Sequence, residues 1–379
     1  MINRTNCPLF NTGLYIEKVN QSQAKIGMCC FQHLSPRTYN TIDFENNDYL
    51  QELRKVDTDV AQCSSCLIDE RRGNQSHRQA HILANANNET RQTKLTTLTY
   101  NCENTCNLAC ITCGPRYSSK WKPDYQRMNI EFVSFEKQST HKNTVYKDLD
   151  FSCLKFLHFQ GGEPLLTDDH LLILSKIKEQ NNLENVVVSY NTNGNFLPSP
   201  ETLELWRQAK LVKLYFSIDA VGEQYNIVRN PGEWHKVEQV LLYYRDLDLP
   251  NLWIEIGTTV SLANVFYIQD IINWRDQFFS KTHNDDEIKI YITFAGATSY
   301  GGQVLALNNI TPAIKSAALA YVATVSDDVI KNTLTSALNS VRGSPAHADT
   351  IVDYLNKIDQ FRGTDWKTTL SKLHTAIHE

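Results

Sequence analysis

No stretch of the chain reaches the ~18 consecutive apolar residues that a membrane-crossing helix needs. The N-terminal MINRTNCPLF has no apolar h-region of the kind that directs export. Charge of one sign never runs long, and the net charge is only −5, which excludes a nucleic-acid surface or a polybasic membrane patch. Internal repeats and low-complexity segments are also missing. A soluble cytoplasmic protein is expected, with no nucleic-acid and no membrane partner.

Hydrophobic residues make up 41% of the 379 positions and aromatics 10%, a composition that suits a packed globular protein. The length suffices for one large domain and a smaller one. Ten cysteines stand out. Nine lie in the first 113 residues, and only Cys153 falls outside. Without an export signal, such clustering points to metal binding or catalysis rather than to disulfides.

The densest group is Cys106-Asn107-Leu108-Ala109-Cys110-Ile111-Thr112-Cys113, just after an apolar-and-threonine run, Leu95 to Tyr100, that reads as a β-strand. Three thiolates this close can hold three corners of an iron–sulfur cube, whereas a fully liganded cluster takes four. An iron left without a protein ligand is open to a small molecule, as in catalytic metal sites. A partial zinc site is the alternative. Two further stretches end strand-like runs: Gly161-Gly162-Glu163-Pro164 after Lys155 to Phe159, and Ser217-Ile218-Asp219 after Leu211 to Phe216.

Together these motifs resemble the signature of the radical S-adenosylmethionine (SAM) enzyme superfamily, over roughly residues 95 to 300. The resemblance implies a catalytic [4Fe-4S] cluster on Cys106, Cys110 and Cys113, its open iron chelated by SAM. It implies that Gly161, Gly162, Glu163 and Pro164 contact the SAM amino group, for which backbone carbonyls and a carboxylate are suitable acceptors. Glycines there also allow close backbone approach; a tight turn would explain them alone. Ser217 and Asp219 suit ribose hydroxyls. Arg229 suits the SAM carboxylate, with a surface salt bridge as the equal alternative. Asn191 and Asn193, in a turn resembling the family's TNG, either line the pocket or only turn the chain. Thr258, Thr259 and Asn264 are weaker candidates. Cys102 lies outside the three-cysteine pattern and reads first as a buried free thiol. A reactive thiol, or a ligand in a shifted triad with Cys106 and Cys110, remains open.

The first 90 residues carry a hairpin-like pair, Gly13 to Val19 and Ala24 to Cys30, then a short helix over Asn46 to Val56 with Tyr49, Leu50 and Leu53 inward. Cys7, Cys29 or Cys30, Cys63 and Cys66 supply four thiolates. Neighbours on a strand face opposite ways, so one of Cys29 and Cys30 points at a metal, Cys29 being preferred. The set resembles a twitch/SPASM auxiliary-cluster module, which usually follows the barrel but here precedes it. That likeness implies an auxiliary [4Fe-4S] cluster; structural zinc is the alternative. The polar stretch from Glu70 to Gln92, with Arg71, Arg72, Arg78 and Arg91, reads as a solvated helix or linker. Arg71 and Arg72 are also able to face a cleft.

From Leu95 onward strands alternate with helices, which implies a parallel sheet. Expected strands are Leu95–Tyr100, Lys155–Phe159, Val186–Tyr190, Leu211–Ile218, Trp253–Val260 and Ile288–Phe294. The fold class expected is α/β: a partial (β/α)6 barrel (residues 91–300) with a small N-terminal hairpin-and-helix cluster-binding module (1–90) and a C-terminal helical region (301–379). All the motifs sit at C-terminal strand ends, where parallel barrels place active sites.

The resemblance implies an oxidoreductase-like enzyme that cleaves SAM reductively to a 5′-deoxyadenosyl radical and abstracts hydrogen from a substrate. Electrons come from a reductant such as flavodoxin or ferredoxin. By analogy with the auxiliary module, a peptide or ribosomally made precursor is the expected substrate, with oxidation, a cross-link or epimerisation as the outcome. For epimerisation Cys102 and Cys30 are the candidate hydrogen donors. A small-molecule dehydrogenase or epimerase stands close behind. The alternative of another class is a non-catalytic iron–sulfur or zinc-binding electron-transfer protein.

Overall fold

The computed structural model describes residues 7–20, 23–29, 34–55, 66, 70, 76, 78–79, 82, 93–132, 145–296 and 299–378. Eight strands lie in one sheet in the order β2-β1-β3-β4-β5-β6-β7-β8. They are β1 (Gly13–Asn20), β2 (Gln23–Gly27), β3 (Thr97–Asn101), β4 (Phe156–Gln160), β5 (Val187–Thr192), β6 (Leu211–Ser217), β7 (Leu252–Val260) and β8 (Lys289–Phe294). Six of them match the six expected barrel strands to within a residue or two. The other two are the hairpin. β1 pairs antiparallel with β2, as its turn suggests, but also parallel with β3, Leu14 opposite Leu98. The hairpin thus extends the parallel sheet, and the strand count is eight instead of six. Among the described residues no helix is long and apolar enough to cross a membrane.

The chain divides into two compact units, each entered more than once. The first holds Met1–Glu103, Phe135–Tyr190 and Ser199–Val212; the second holds Asn104–Ser134, Asn191–Pro198 and Lys213–Glu379.

In the first unit β1, β3 and β4 run parallel, with Tyr100 opposite Phe159. Alternate residues of β4 are buried, Leu157 and Phe159 completely. Phe159 stacks on Tyr190, ring centroids 5.0 Å apart, and the Tyr190 hydroxyl accepts from Trp206 Nε1 at 3.1 Å. Burying rings of this size contributes roughly 1.5–3 kcal/mol each, so this column helps to tie the sheet to its helices. Helix α1 (Asp48–Lys55) buries Leu50 and Leu53, with Tyr49 only half-buried. Helix α2 (Lys122–Arg127) belongs to the second unit, and α3 (Asp169–Glu179) and α4 (Pro200–Gln208) belong to the first. Ser199 caps α4 through Thr202 N–H, and Pro200 sits where a missing N–H costs nothing.

In the second unit β7 pairs parallel with β8. Helices α5 (Gly222–Val228), α6 (Trp234–Arg245) and α7 (Ile268–Phe278) accompany these strands. A short α8 (Tyr300–Val304) follows, then α9 (Pro312–Val322), α10 (Asp328–Ser340), α11 (Ala348–Arg362), α12 (Trp366–Thr369) and α13 (Ser371–His378). Thr311 caps α9 through Ile314 N–H, and Pro312 occupies its first turn. Gly363 ends α11 in the left-handed conformation, φ 66°.

Candidate functional site

The second unit contains the cysteine loop. Cys106, Cys110 and Cys113 are half-buried. The loop is shaped by its own backbone: Cys113 N–H returns to Cys110 O at 2.8 Å, Ala109 N–H donates to Asn230 O, and Ile111 N–H donates to Val228 O. Leu108 N–H donates to Cys106 Sγ at 3.5 Å. Burial pushes the Cys110 thiol up, against the nearby Arg229. Burial pushes Cys113 up as well, and Cys110 and Cys106 add to it, which places the three thiols in one electrostatic neighbourhood.

Asn193 ties the turn after β5 to this loop. Its Nδ2 donates to Asn107 Oδ1 at 2.7 Å and to Cys106 Sγ at 3.8 Å. Asn191 is exposed. Ser217 is half-buried, while Asp219 is buried at the centre of a small network. One Asp219 carboxylate oxygen accepts Thr259 N–H at 2.7 Å; the other pairs with Arg229 at 2.8 Å. Asn264 Nδ2 donates to the Asp219 carbonyl at 2.8 Å, and Thr258 Oγ1 donates to Ile218 O at 2.7 Å. The residues read as weaker ligand candidates therefore support Asp219. Burial works against the charge of Arg229, but Asp219 and Cys110 outweigh it and hold the guanidinium above its ordinary value. Its buried Nε has no hydrogen-bond partner among the described residues.

The first unit contains the glycine loop. Gly161 has φ 125°, and Gly162 N–H donates to Glu103 O at 3.1 Å. Glu163 is fully buried, and its Oε1 accepts Leu165 N–H at 3.2 Å, capping the single turn Pro164–Leu166. Cys102 is buried, and burial, reinforced by Asp169, keeps its thiol protonated far above the ordinary range. Cys7 and Cys66 are buried, and Cys29 is half-buried. Cys30, Cys63, Arg71, Arg72 and Arg91 lie outside the described residues. Arg78 is buried against Glu70 at 2.5 Å, a structural ion pair where a solvated arginine was expected.

Residues 100–263 match the family model described as Radical SAM superfamily. Over this stretch the chain is similar to the radical SAM superfamily. No curated protein matches it. Among solved structures, anSMEcpe with bound AdoMet is similar at 17% identity, over 66% of this chain and 63% of that one, with a TM-score of 0.41. Streptococcus suis SuiB bound to precursor peptide SuiA is similar at 11% identity, over 93% of this chain and 70% of that one, with a TM-score of 0.38. TYW1 with a lysine-pyruvate adduct is similar at 12% identity, over 63% and 71%, with a TM-score of 0.34. The chain thus spans just under two thirds of the anSMEcpe chain.

The family match over residues 100–263 implies an iron–sulfur cluster and SAM, and the residues present suit both. Among the described residues no three His, Cys, Asp or Glu side chains close on a single metal ion. A cube makes a different demand, one thiolate for each of three irons, and three cysteines on one loop supply that donor set. The N–H groups on Cys106 Sγ suit a sulfur that carries negative charge. The unpartnered Arg229 Nε is a donor left over for an anionic group. Asp219 retains lone pairs on both oxygens for hydroxyl donors after its two bonds are made.

Sequence reasoning missed two groups of residues. Lys18 is buried on β1 between Glu103 and Asp169, and a lone lysine in an alternating strand gave no sign of it. The donors that hold the cysteine loop from α8 and α11 were missed because they lie some 190 to 250 positions away, in helices of ordinary pattern.

Proposed function

We propose that the chain reductively cleaves SAM and takes a hydrogen atom from a peptide or ribosomally made precursor, ending in oxidation, a cross-link or epimerisation. The observation that carries this reading is the Cys106–Cys110–Cys113 loop: three cysteines within eight residues, with the Asn193 amide on Cys106 and the Asp219–Arg229 pair beside Cys110. Bound together, the cluster and SAM supply a 5′-deoxyadenosyl radical after one-electron reduction, by a reductant such as flavodoxin or ferredoxin.

The chain's own part is to bind and orient. Cys106, Cys110 and Cys113 hold three irons. Gly161, Gly162, Glu163 and Pro164 receive the SAM amino group. Ser217 and Asp219 accept from the ribose, Arg229 donates to the carboxylate, and Asn191 and Asn193 line the pocket. Cys7, Cys29 or Cys30, Cys63 and Cys66 hold an auxiliary [4Fe-4S] cluster. Cys102 and Cys30 are the hydrogen donors if the outcome is epimerisation. Burial keeps Cys102 as S–H, the form that gives up a hydrogen atom. The peptide class is supported by β8, an edge strand with Tyr291 and Phe294 exposed. Such an edge suits an extended peptide that adds by backbone pairing.

The test is 5′-deoxyadenosine release by anaerobically reconstituted protein under dithionite. Cys110→Ala should release none; a variant that still cleaves SAM sinks the reading. About eight irons per chain supports two cubes, and about four with one zinc supports a structural second site.

A further inference from the structure

Five successive carbonyls of the cysteine loop each accept a hydrogen bond from a side chain. Leu108 O accepts from Ser118 Oγ at 2.5 Å, Ala109 O from Arg362 Nη1 at 2.8 Å and Cys110 O from Trp121 Nε1 at 3.0 Å. Ile111 O accepts from the Tyr354 hydroxyl at 2.5 Å and Thr112 O from Ser299 Oγ at 2.7 Å. Ser118 and Trp121 are close in sequence to the loop. Ser299, Tyr354 and Arg362 all come after β8.

These three donors are themselves held. Tyr354 is 1% exposed. Arg362 pairs with Asp124 at 3.0 Å and lies over the Trp121 ring, 4.3 Å from its centroid. Ser299 also caps α8 through Gly302 N–H. The approach of α8 to the loop depends on glycine: a Cβ on Gly301 would fall 2.0 Å from Ile111 O and 2.2 Å from the Tyr354 hydroxyl.

The consequence for metal binding follows from peptide geometry. A planar trans peptide points its carbonyl and N–H in opposite directions, so fixing each carbonyl fixes each peptide plane. With five planes fixed, the backbone from Leu108 to Cys113 is set on folding, and Leu108 N–H and Asn193 Nδ2 hold Cys106 Sγ. The loop then does not lose its freedom at the moment it takes up metal. The carbonyl oxygens, which would repel an anionic thiolate-bound cluster, are turned to donors instead.

We propose that Ser299, Tyr354 and Arg362 are positioning residues: the segment after the last strand clamps the cysteine loop in its metal-binding shape and sets how firmly the three thiolates keep their cluster. This rests on the reading of the loop as the cluster site. The test compares anaerobically reconstituted wild-type protein with Tyr354→Phe, Ser299→Ala and Arg362→Lys. Three quantities are read: iron per chain, the rate at which a ferrous chelator strips it, and the change that added SAM makes in the electron paramagnetic resonance spectrum of the dithionite-reduced protein. The last reports only on the cluster with an open iron. Tyr354→Phe leaves the Ile111 carbonyl buried without a donor, and iron should leave about tenfold faster while circular dichroism is unchanged. The SAM-dependent spectrum should shift, and Ser299→Ala and Arg362→Lys should move the same way. Should Tyr354→Phe fail to fold, the other two variants decide. Iron loss and spectra equal to wild type overturn the clamp alone. Iron loss that only tracks loss of circular dichroism also overturns it, because the contacts are then merely structural. Wild-type protein that takes up no iron overturns both the clamp and the proposed function.

Discussion

The guanidinium of Arg229 stands 2.8 Å from the carboxylate of Asp219, with both side chains buried. From sequence the two were separate contacts to different parts of SAM; in the fold they are partners first. Breaking a buried pair leaves a charge without its partner, which costs about 3–5 kcal/mol. Asp219→Asn should therefore lower the urea-unfolding free energy by that order. The double variant Asp219→Asn, Arg229→Met should recover much of the loss. Equal stabilities for the single and double variants would show that the pair is not coupled.

Gly161 leads to a prediction about binding. Its φ of 125° is one that side chains rarely adopt, and a Cβ there would lie 2.5 Å from Asn101 Oδ1 and 2.7 Å from Cys102 O. Gly161→Ala should strain the loop by about 1–3 kcal/mol and weaken SAM binding about tenfold or more, with iron content retained. Equilibrium dialysis of labelled SAM against the reconstituted protein measures this; an unchanged Kd would remove the loop from the SAM site.

Much of this was legible in the residues themselves. The six barrel strands declared themselves as strand-like runs alternating with helical stretches, because each strand's pattern is local. The cysteine loop declared itself by spacing. The parallel pairing of β1 with β3 did not, since a hairpin pattern reports only the antiparallel neighbour across its turn. Nor did Glu163, which was read as a ligand and also caps its own turn. Tyr354 fills an apolar-periodic position of α11, and Arg362 sits in its last turn, where a basic residue usually complements the helix dipole. Their bonds to Ile111 and Ala109 depend on tertiary geometry that periodicity does not encode.

Lys18 tests the support under the glycine loop. Its ammonium lies 2.7 Å from Glu103 and 2.9 Å from Asp169, and the Glu103 carbonyl receives Gly162 N–H. Burial alone would lower the lysine's pKa, but Asp169 and Glu103 outweigh it and raise the value above the ordinary 10.5. A raised folded value means that the stabilisation is complete below about pH 10.5 and is lost as pH climbs through the folded value. Lys18→Met should thus be less stable than wild type by about 3–5 kcal/mol at neutral pH. The gap should narrow only above about pH 10.5. Denaturant melts of both proteins across that range provide the check, and a gap that already closes at neutral pH contradicts the pairing.

His170 gives the opposite dependence, on the acid side. It is 3% exposed, its Nδ1 lies 3.3 Å from the Tyr190 hydroxyl, and its ring meets Phe159 edge to face. Burial pushes its pKa down to about 4, with neighbouring Asp169 only partly opposing. Between about pH 6.5 and pH 4 the unfolded chain holds a proton on this ring that the folded chain does not. Stability must then fall as the pH falls, by about 3 kcal/mol across that window. His170→Phe keeps a ring in the same space and removes the titration. The two proteins differ at this one ring, so the difference between wild type and variant isolates His170. The variant should be the less sensitive to acid, gaining about 3 kcal/mol on wild type between pH 7 and pH 4. A difference that stays flat over that range would mean that His170 charges in the folded chain as freely as in water.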